Sequence, residues 1–228
     1  MRQAFTSADV DQALADAQRF KDEGNYEQAL ERHIWYHKYA LKYAPAHYGV
    51  RLSFALGTWT ELGQVYPKAL DALRAIRDET LATYRKTSSD SLLLGEVMRL
   101  NFCLNDLQSA KELFYEVRKK GVDDPSLMLD LDEILAGGEE TWARDVIGDP
   151  NEKLERIKDQ RDLTALSMKL NKSLGDLAEF LDESYARQVA TLLGAVEKTH
   201  GLSAARALQK QALKFLDSPI IRDALNGD

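Results

Sequence analysis

Two histidines carry the clearest possibility of metal chemistry in this chain. His33 and His37 are four residues apart in a predicted helix, a spacing that places both imidazoles on one face and allows them to bind a metal ion. The residues between them are Ile34, Trp35 and Tyr36, so the HExxH motif of zinc hydrolases, with its glutamate base, is absent. We therefore expect buried histidines rather than a metal centre, and keep the pair as a weak metal candidate.

Other motifs that carry chemistry are missing from the sequence. Neither GxxxxGK[ST], GxGxxG nor GxSxG occurs, and the carboxylates around 130–140 lack the spacing and central glycine of an EF-hand. Cys103 is the single cysteine and follows Phe102 in an apolar run, which favours an inert, buried thiol. The residues therefore predict neither an enzyme nor a cofactor.

Aromatic residues are concentrated in one part of the chain. Nine of the 19 aromatics, and three of the four histidines, lie between residues 26 and 66. Two interpretations remain open: a thick aromatic core between long helices, or a recognition groove whose aromatic rings have polar tips suited to a peptide.

The charge pattern weakly favours the groove. Residues 32–56 carry four basic side chains and no acid, whereas residues 121–149 carry nine acids and one arginine. The basic segment could meet an acidic peptide or the protein's own acidic segment.

Composition limits the fold class. The chain has 228 residues, of which 44% are hydrophobic and 29% charged, with 13 glycines and 5 prolines. That apolar fraction suffices for a packed core, and the few glycines and prolines disfavour a turn-rich β-sandwich. The net charge of −7 argues against broad nucleic-acid binding. No apolar run is long enough for a signal peptide or membrane span, so we expect a cytoplasmic protein.

Apolar spacing of the helical type, together with caps and breakers, predicts an all-α protein. A capping box at Thr6 starts the first helix, Gly24 and Asn25 end it, and Pro45, Gly63 and several later prolines and glycines separate the rest. The predicted helices span about 7–23, 26–43, 45–62, 67–86, 91–104, 107–120, 125–136, 139–147, 151–173, 176–199, 202–216 and 219–226.

Three segments share one pattern. Ala29, Ala69 and Ala110 are 40 and 41 residues apart, and each follows a turn and a large residue three positions earlier. Large residues also occur four and seven positions after each alanine. Such a small residue lets two helices approach closely while the large neighbours fill the space beside it, as in a packed antiparallel helix pair.

This pattern resembles the tetratricopeptide repeat, over about residues 8–120. Leu56-Gly57, Ala69 and Leu73 occupy the family's Leu-Gly, small and bulky positions, although the period is near 40 rather than 34. The resemblance implies a solenoid of about three repeats in residues 1–122, followed by a C-terminal helical region, 123–228, packed on or capping it. Residues 31–78 also resemble segments of bacterial helical proteins of unassigned activity.

The resemblance also implies a binding surface. In that family the first helix of each pair lines the concave face. The residues that would face a partner there are Arg51, Phe54, Thr58, Glu61, Leu92, Arg99 and Phe102, and Trp59 belongs to the same predicted binding set.

We therefore expect a scaffold or adaptor that binds a protein or peptide, with no nucleic-acid or membrane partner. The alternatives are a helical enzyme or metal-binding protein using His33 and His37, and a structural homo-oligomer that pairs through its aromatic segment.

Overall fold

Helices form every regular element in the part of the chain that the computed structural model describes, which is residues 5–87, 90–121, 130–170 and 178–226. No strand occurs in these ranges, so the all-α prediction is confirmed. The thirteen helices are α1 (Ser7–Asp22), α2 (Tyr26–Tyr43), α3 (Tyr48–Leu52), α4 (Phe54–Val65), α5 (Lys68–Thr87), α6 (Ser91–Cys103), α7 (Leu107–Lys119), α8 (Leu131–Ala136), α9 (Glu140–Ile147), α10 (Pro150–Leu170), α11 (Ala178–His200), α12 (Leu202–Phe215) and α13 (Pro219–Asp223).

The chain divides into two compact units, Met1–Leu127 and Met128–Asp228. The boundary predicted between 122 and 123 lies outside the described residues. Among those that are described, no helix combines the length and the apolar character that crossing a membrane requires.

The first unit is a series of helices in which chain neighbours pack together. α1 contacts α2, α2 contacts α4, and the same succession continues through α5, α6 and α7. In addition α1 contacts α4, and α4 contacts α6, so alternate helices also meet. The repeat alanines Ala29, Ala69 and Ala110 are fully buried, as their small size predicts.

Two of the predicted hairpin turns have the same backbone geometry. Gly24 and Asn105 adopt positive φ values of 77° and 54°, and each lies five residues before its repeat alanine. The amide that follows, of Asn25 or Asp106, donates to a carbonyl five residues earlier, at 2.8 and 2.9 Å. This is the Schellman arrangement, which satisfies carbonyl groups at the end of the first helix.

The second hairpin departs from the predicted boundaries. We expected one helix over 45–62, but Pro45 begins a 3₁₀ turn to His47, and Ser53 separates α3 from α4. The prediction that Gly63 ends a helix is wrong, because α4 continues to Val65. Gly63 is buried, and a Cβ added there would lie 2.4 Å from Leu70 Cδ2, so this glycine permits close packing with α5.

In the second unit α11 is the central helix. It contacts each of the helices around it, namely α8, α9, α10, α12 and α13. Apolar residues recur at helical spacing along α11, and they are buried at Leu181, Tyr185, Val189, Leu192 and Val196.

The same unit repeats the Schellman turn once more. Gly138, with φ 75°, lies five residues before the fully buried Ala143, and the Glu139 amide donates to Ile134 O at 3.2 Å. The sequence predicts the break between residues 136 and 139, but it does not predict that this turn has the geometry of the turns before Ala29 and Ala110.

Candidate functional site

Arg51 is the centre of a buried charged cluster, which we define as Arg51, Glu96 and His37. Pro45 starts the 3₁₀ turn that leads into α3, and this short helix carries Arg51 into the interior. The guanidinium donates from Nη1 to Glu96 Oε2 at 2.9 Å and from Nη2 to Glu96 Oε1 at 2.6 Å. Its Nε donates to the carbonyl oxygen of His37 at 2.8 Å. This bidentate pairing compensates a cation that burial would otherwise make costly.

His37 completes the charged cluster. Its Nε2 lies 3.0 Å from Glu96 Oε1 and 3.0 Å from Arg51 Nη2. Burial lowers the pKa of His37, and the nearby Arg51 charge lowers it further against the opposing effect of Glu96. The imidazole is therefore neutral near pH 7, and the opposite charges of Arg51 and Glu96 cancel.

The Glu96 carboxylate is held ionised by its partners. Burial alone would raise its pKa, but the hydrogen bonds from His37 and Arg51 and the Arg51 charge outweigh burial and lower the pKa to about 2. Because the three residues belong to α2, α3 and α6, the cluster fixes these helices to one another.

The structure places the predicted contact residues in two different environments. Arg51, Trp59 and Phe102 are buried. Trp59 Nε1 donates to the carbonyl oxygen of Ala69 at 3.0 Å, which ties α4 to the repeat alanine of α5. These three side chains therefore belong to the interior of the first unit.

The others lie at or near the surface. Phe54 is 63% exposed, and Glu61 is exposed but pairs with Lys21 Nζ at 2.7 Å. Thr58 is half-buried and donates to Ala55 O at 3.1 Å. Arg99 is half-buried, and its Nε donates to Leu52 O at 3.1 Å.

The first helix of the third pair adds a second exposed apolar side chain. Leu92 of α6 is 61% exposed. Phe54 and Leu92 therefore present large apolar surfaces to solvent from α4 and α6, two helices that contact each other.

His33 and His37, the two histidines considered as a metal candidate, lie in two different environments. His33 stacks on Trp59 with ring centroids 5.4 Å apart, and its buried Nδ1 has no hydrogen-bond partner among the described residues. Burial, with a smaller effect of the Lys21 charge, lowers the pKa of His33 to about 4. His37 instead belongs to the charged cluster. Across the described ranges, no group of three or more His, Cys, Asp or Glu residues is placed to hold a metal ion.

Sequence reasoning missed Glu96 as the partner of Arg51. Glu96 lies 45 residues from Arg51 in the chain. No local pattern marks the pair, because a lone glutamate within an apolar helical run looks like any solvent-facing residue. Only the tertiary fold of the first unit brings the two side chains together.

Comparison of the chain with protein families, with curated proteins and with solved structures finds no match.

Proposed function

We propose that the chain is a protein-interaction module whose first unit is a tetratricopeptide-like stack of three helix pairs, α1–α2, α4–α5 and α6–α7. The contacts between successive first helices, α1 with α4 and α4 with α6, support the stack. The burial of one alanine in each second helix supports it as well. In this arrangement the first helices form a shared surface, as in a solenoid.

The exposure of Phe54 and Leu92 is the observation that carries the binding proposal. Large apolar side chains that lie in solvent on two contacting helices gain free energy when a partner covers them. Glu61 and Thr58 provide polar groups on the same helix as Phe54, which suits the polar rim of an interface. The partner is a peptide or helix that places apolar side chains against α4 and α6.

Arg51 contributes to this function as a support. Its bonds to Glu96 and His37 hold α3, α6 and α2 together before any partner arrives. A surface held in its bound shape loses little conformational entropy on binding, so more of the contact energy appears as affinity.

A pull-down from native lysate with chemical crosslinking tests the proposal. Wild-type protein is compared with the double variant Phe54→Asp, Leu92→Asp, and captured proteins are identified by mass spectrometry. Leu163→Asp with Leu166→Asp is the matched control, because these α10 leucines are 66% and 55% exposed in the second unit. We expect a specific partner to be lost only with the first double variant. A partner retained by that variant would refute the surface, provided that circular dichroism shows all three proteins to be folded.

A further inference from the structure

The outward side of α2 carries an uninterrupted stripe of aromatic and basic residues, Trp35, Lys38, Tyr39 and Lys42, which we call the α2 stripe. These positions follow the i, i+3, i+4, i+7 spacing, which places them on one side of a helix. The opposite side of α2 faces the interior through Ala29, Leu30, His33, Tyr36, His37 and Ala40.

The aromatic rings of the stripe form a connected surface with Phe5 and Tyr43. Phe5 contacts Trp35 at 5.1 Å and Tyr43 at 5.6 Å between ring centroids, and Trp35 contacts Tyr39 at 5.7 Å. Trp35 and Tyr43 pack with one side against the buried cluster around Val10 and are only half-buried. Phe5 is 50% exposed. One side of these rings therefore packs against the protein, and the other side is accessible to a partner.

The lysines of the stripe contact aromatic rings and differ in this from the ion-paired Lys21 of the first unit. Lys38 Nζ lies 5.6 Å from the Tyr39 ring centroid and Lys42 Nζ lies 5.3 Å from that of Tyr43. Among the described residues, neither ammonium has a carboxylate within 4.0 Å, whereas Lys21 pairs with Glu61 at 2.7 Å. These two charges therefore remain available to a partner.

No acid neutralises the segment from within. Residues 32–56 contain Arg32, Lys38, Lys42 and Arg51 and no aspartate or glutamate. Arg51 pairs with Glu96 inside the protein, and the charge of Arg32 acts on Asp16 of α1. The positive charge of the α2 stripe therefore comes from Lys38 and Lys42.

We propose that the α2 stripe docks an acidic peptide segment that carries an aromatic or large aliphatic side chain. The carboxylates of such a segment pair with Lys38 and Lys42, and its apolar side chain packs on Trp35 and Tyr39. Tyrosine and tryptophan provide large contact areas at small conformational cost, and lysines near them attract the acidic partner and set its register.

The charge of the whole chain favours a short acidic segment over an extended polyanion. The net charge is −7, with 37 acidic against 30 basic residues, so an extended polyanion such as nucleic acid or an anionic membrane would meet net repulsion from the whole chain. A peptide needs complementarity only over the stripe itself. The proposal does not depend on the surface formed by Phe54 and Leu92, because the two sets of residues belong to different helices.

Fluorescence anisotropy with a labelled peptide tests the proposal on the full chain. The probe is the fluorescein-labelled peptide EEDFEDLEDF, compared with the basic peptide KKRFKRLKRF at low ionic strength. We expect saturable binding of the acidic peptide alone, weakened by at least about tenfold in the variant Lys38→Glu, Lys42→Glu, and reduced by added salt.

Two variants serve as controls. Lys210→Glu with Lys214→Glu makes the same charge change at two exposed α12 lysines that are likewise four residues apart, and we expect it to preserve binding. The variant Phe54→Asp, Leu92→Asp should also bind the acidic peptide normally, so failure of one surface leaves the other testable.

Several outcomes would overturn the docking proposal. Among them are equal binding by wild type and the Lys38→Glu, Lys42→Glu variant, equal binding of both peptides, and no saturation up to about 1 mM. The proposal also fails if phosphatidylserine vesicles or an oligonucleotide bind through Lys38 and Lys42 while the peptide does not. If the wild type forms a dimer that dissociates in the Lys38→Glu, Lys42→Glu variant, and the wild type does not bind the peptide, the stripe is a self-association surface instead.

Discussion

Replacing His33 with leucine should make the protein less sensitive to acid. His33 lies four residues after the repeat alanine Ala29, and the equivalent positions in the next two hairpins are Leu73 and Phe114, both fully buried apolar residues. His33 is buried in the same way, but its Nδ1 finds no hydrogen-bond partner. The first hairpin therefore carries a polar, titratable ring where its counterparts carry hydrocarbon.

The pKa of His33 determines the size and sign of the effect. Burial lowers it from 6.5 to about 4, so below pH 6.5 the unfolded chain takes up a proton that the folded protein resists. The stabilisation is complete above that pH and is lost progressively as the pH falls through about 4. At about 1.4 kcal/mol per pKa unit, acidification to about pH 4.5 removes roughly 2 to 3 kcal/mol of unfolding free energy.

Urea denaturation followed by circular dichroism measures this change, with samples between about pH 7.5 and pH 4.5. Wild type should lose roughly 2 to 3 kcal/mol more than His33→Leu across the range. The variant still loses some stability, because the pKa of His37 is also lowered by burial. At neutral pH the variant should be more stable by roughly 1 kcal/mol, because it removes an unsatisfied buried polar atom.

A matched control separates titration from packing. Leu73→Val alters the equivalent position of the second hairpin without touching a titratable group. It should lower stability by about 1 kcal/mol at every pH and leave the pH dependence unchanged. If wild type and His33→Leu lose equal unfolding free energy between about pH 6.5 and 4.5, burial does not lower the pKa of His33 and the reasoning is wrong.

Three further predictions concern packing and backbone geometry. Glu96→Gln leaves the buried Arg51 without a counter-charge and should cost about 3 to 5 kcal/mol of unfolding free energy in urea denaturation; a cost below about 1 kcal/mol would show that water already reaches the guanidinium. Gly63→Ala should lower the free energy of unfolding by about 1 to 3 kcal/mol, because the added Cβ would lie 2.4 Å from a Leu70 side-chain atom. Gly57→Ala on the same helix is the control: its Cβ meets nothing within 4 Å, so it should raise the free energy of unfolding by up to about 1 kcal/mol. Thermal melts that reverse this order would contradict the close packing. Asn105→Gly should raise the melting temperature slightly, since φ is 54° there and glycine adopts that region without strain; a lower melting temperature would indicate that the Asn105 side chain has a stabilising role.

Short local sequence patterns are sufficient to predict much of the fold. The left-handed turn at Gly24 and the burial of Ala29 and Ala110 follow from short patterns of breaker, large and small residues. The sequence predicts a helix end at Gly63, because in a sequence a glycine that ends a helix cannot be distinguished from one that permits close packing of a neighbouring side chain. Only the approach of Leu70 from the next helix decides between the two.

The Schellman turn at Gly138 shows the limit of a fixed period. Ala143 follows Ala110 by 33 residues, whereas the earlier alanines are 40 and 41 apart. Glu140 also occupies the position that Tyr26 and Leu107 fill in earlier turns, so the large-residue signal is missing. The backbone geometry is nevertheless the same, because a left-handed residue five positions before a small one satisfies the same carbonyl groups.

Arg51 shows why the candidate site was harder to predict than the fold. An arginine on a predicted first helix suggests a ligand contact, because such a cation normally stays in water. Glu96, far away in the sequence, supplies the only carboxylate to which Arg51 makes a described ion pair, and both become buried. The cation thereby fixes α3 and α6. In the proposed binding, the energy would come from side chains that remain exposed, apolar at Phe54 and Leu92 and cationic at Lys38 and Lys42. A partner that required Arg51 would first have to break a buried ion pair, and that cost makes the support role the more favourable one.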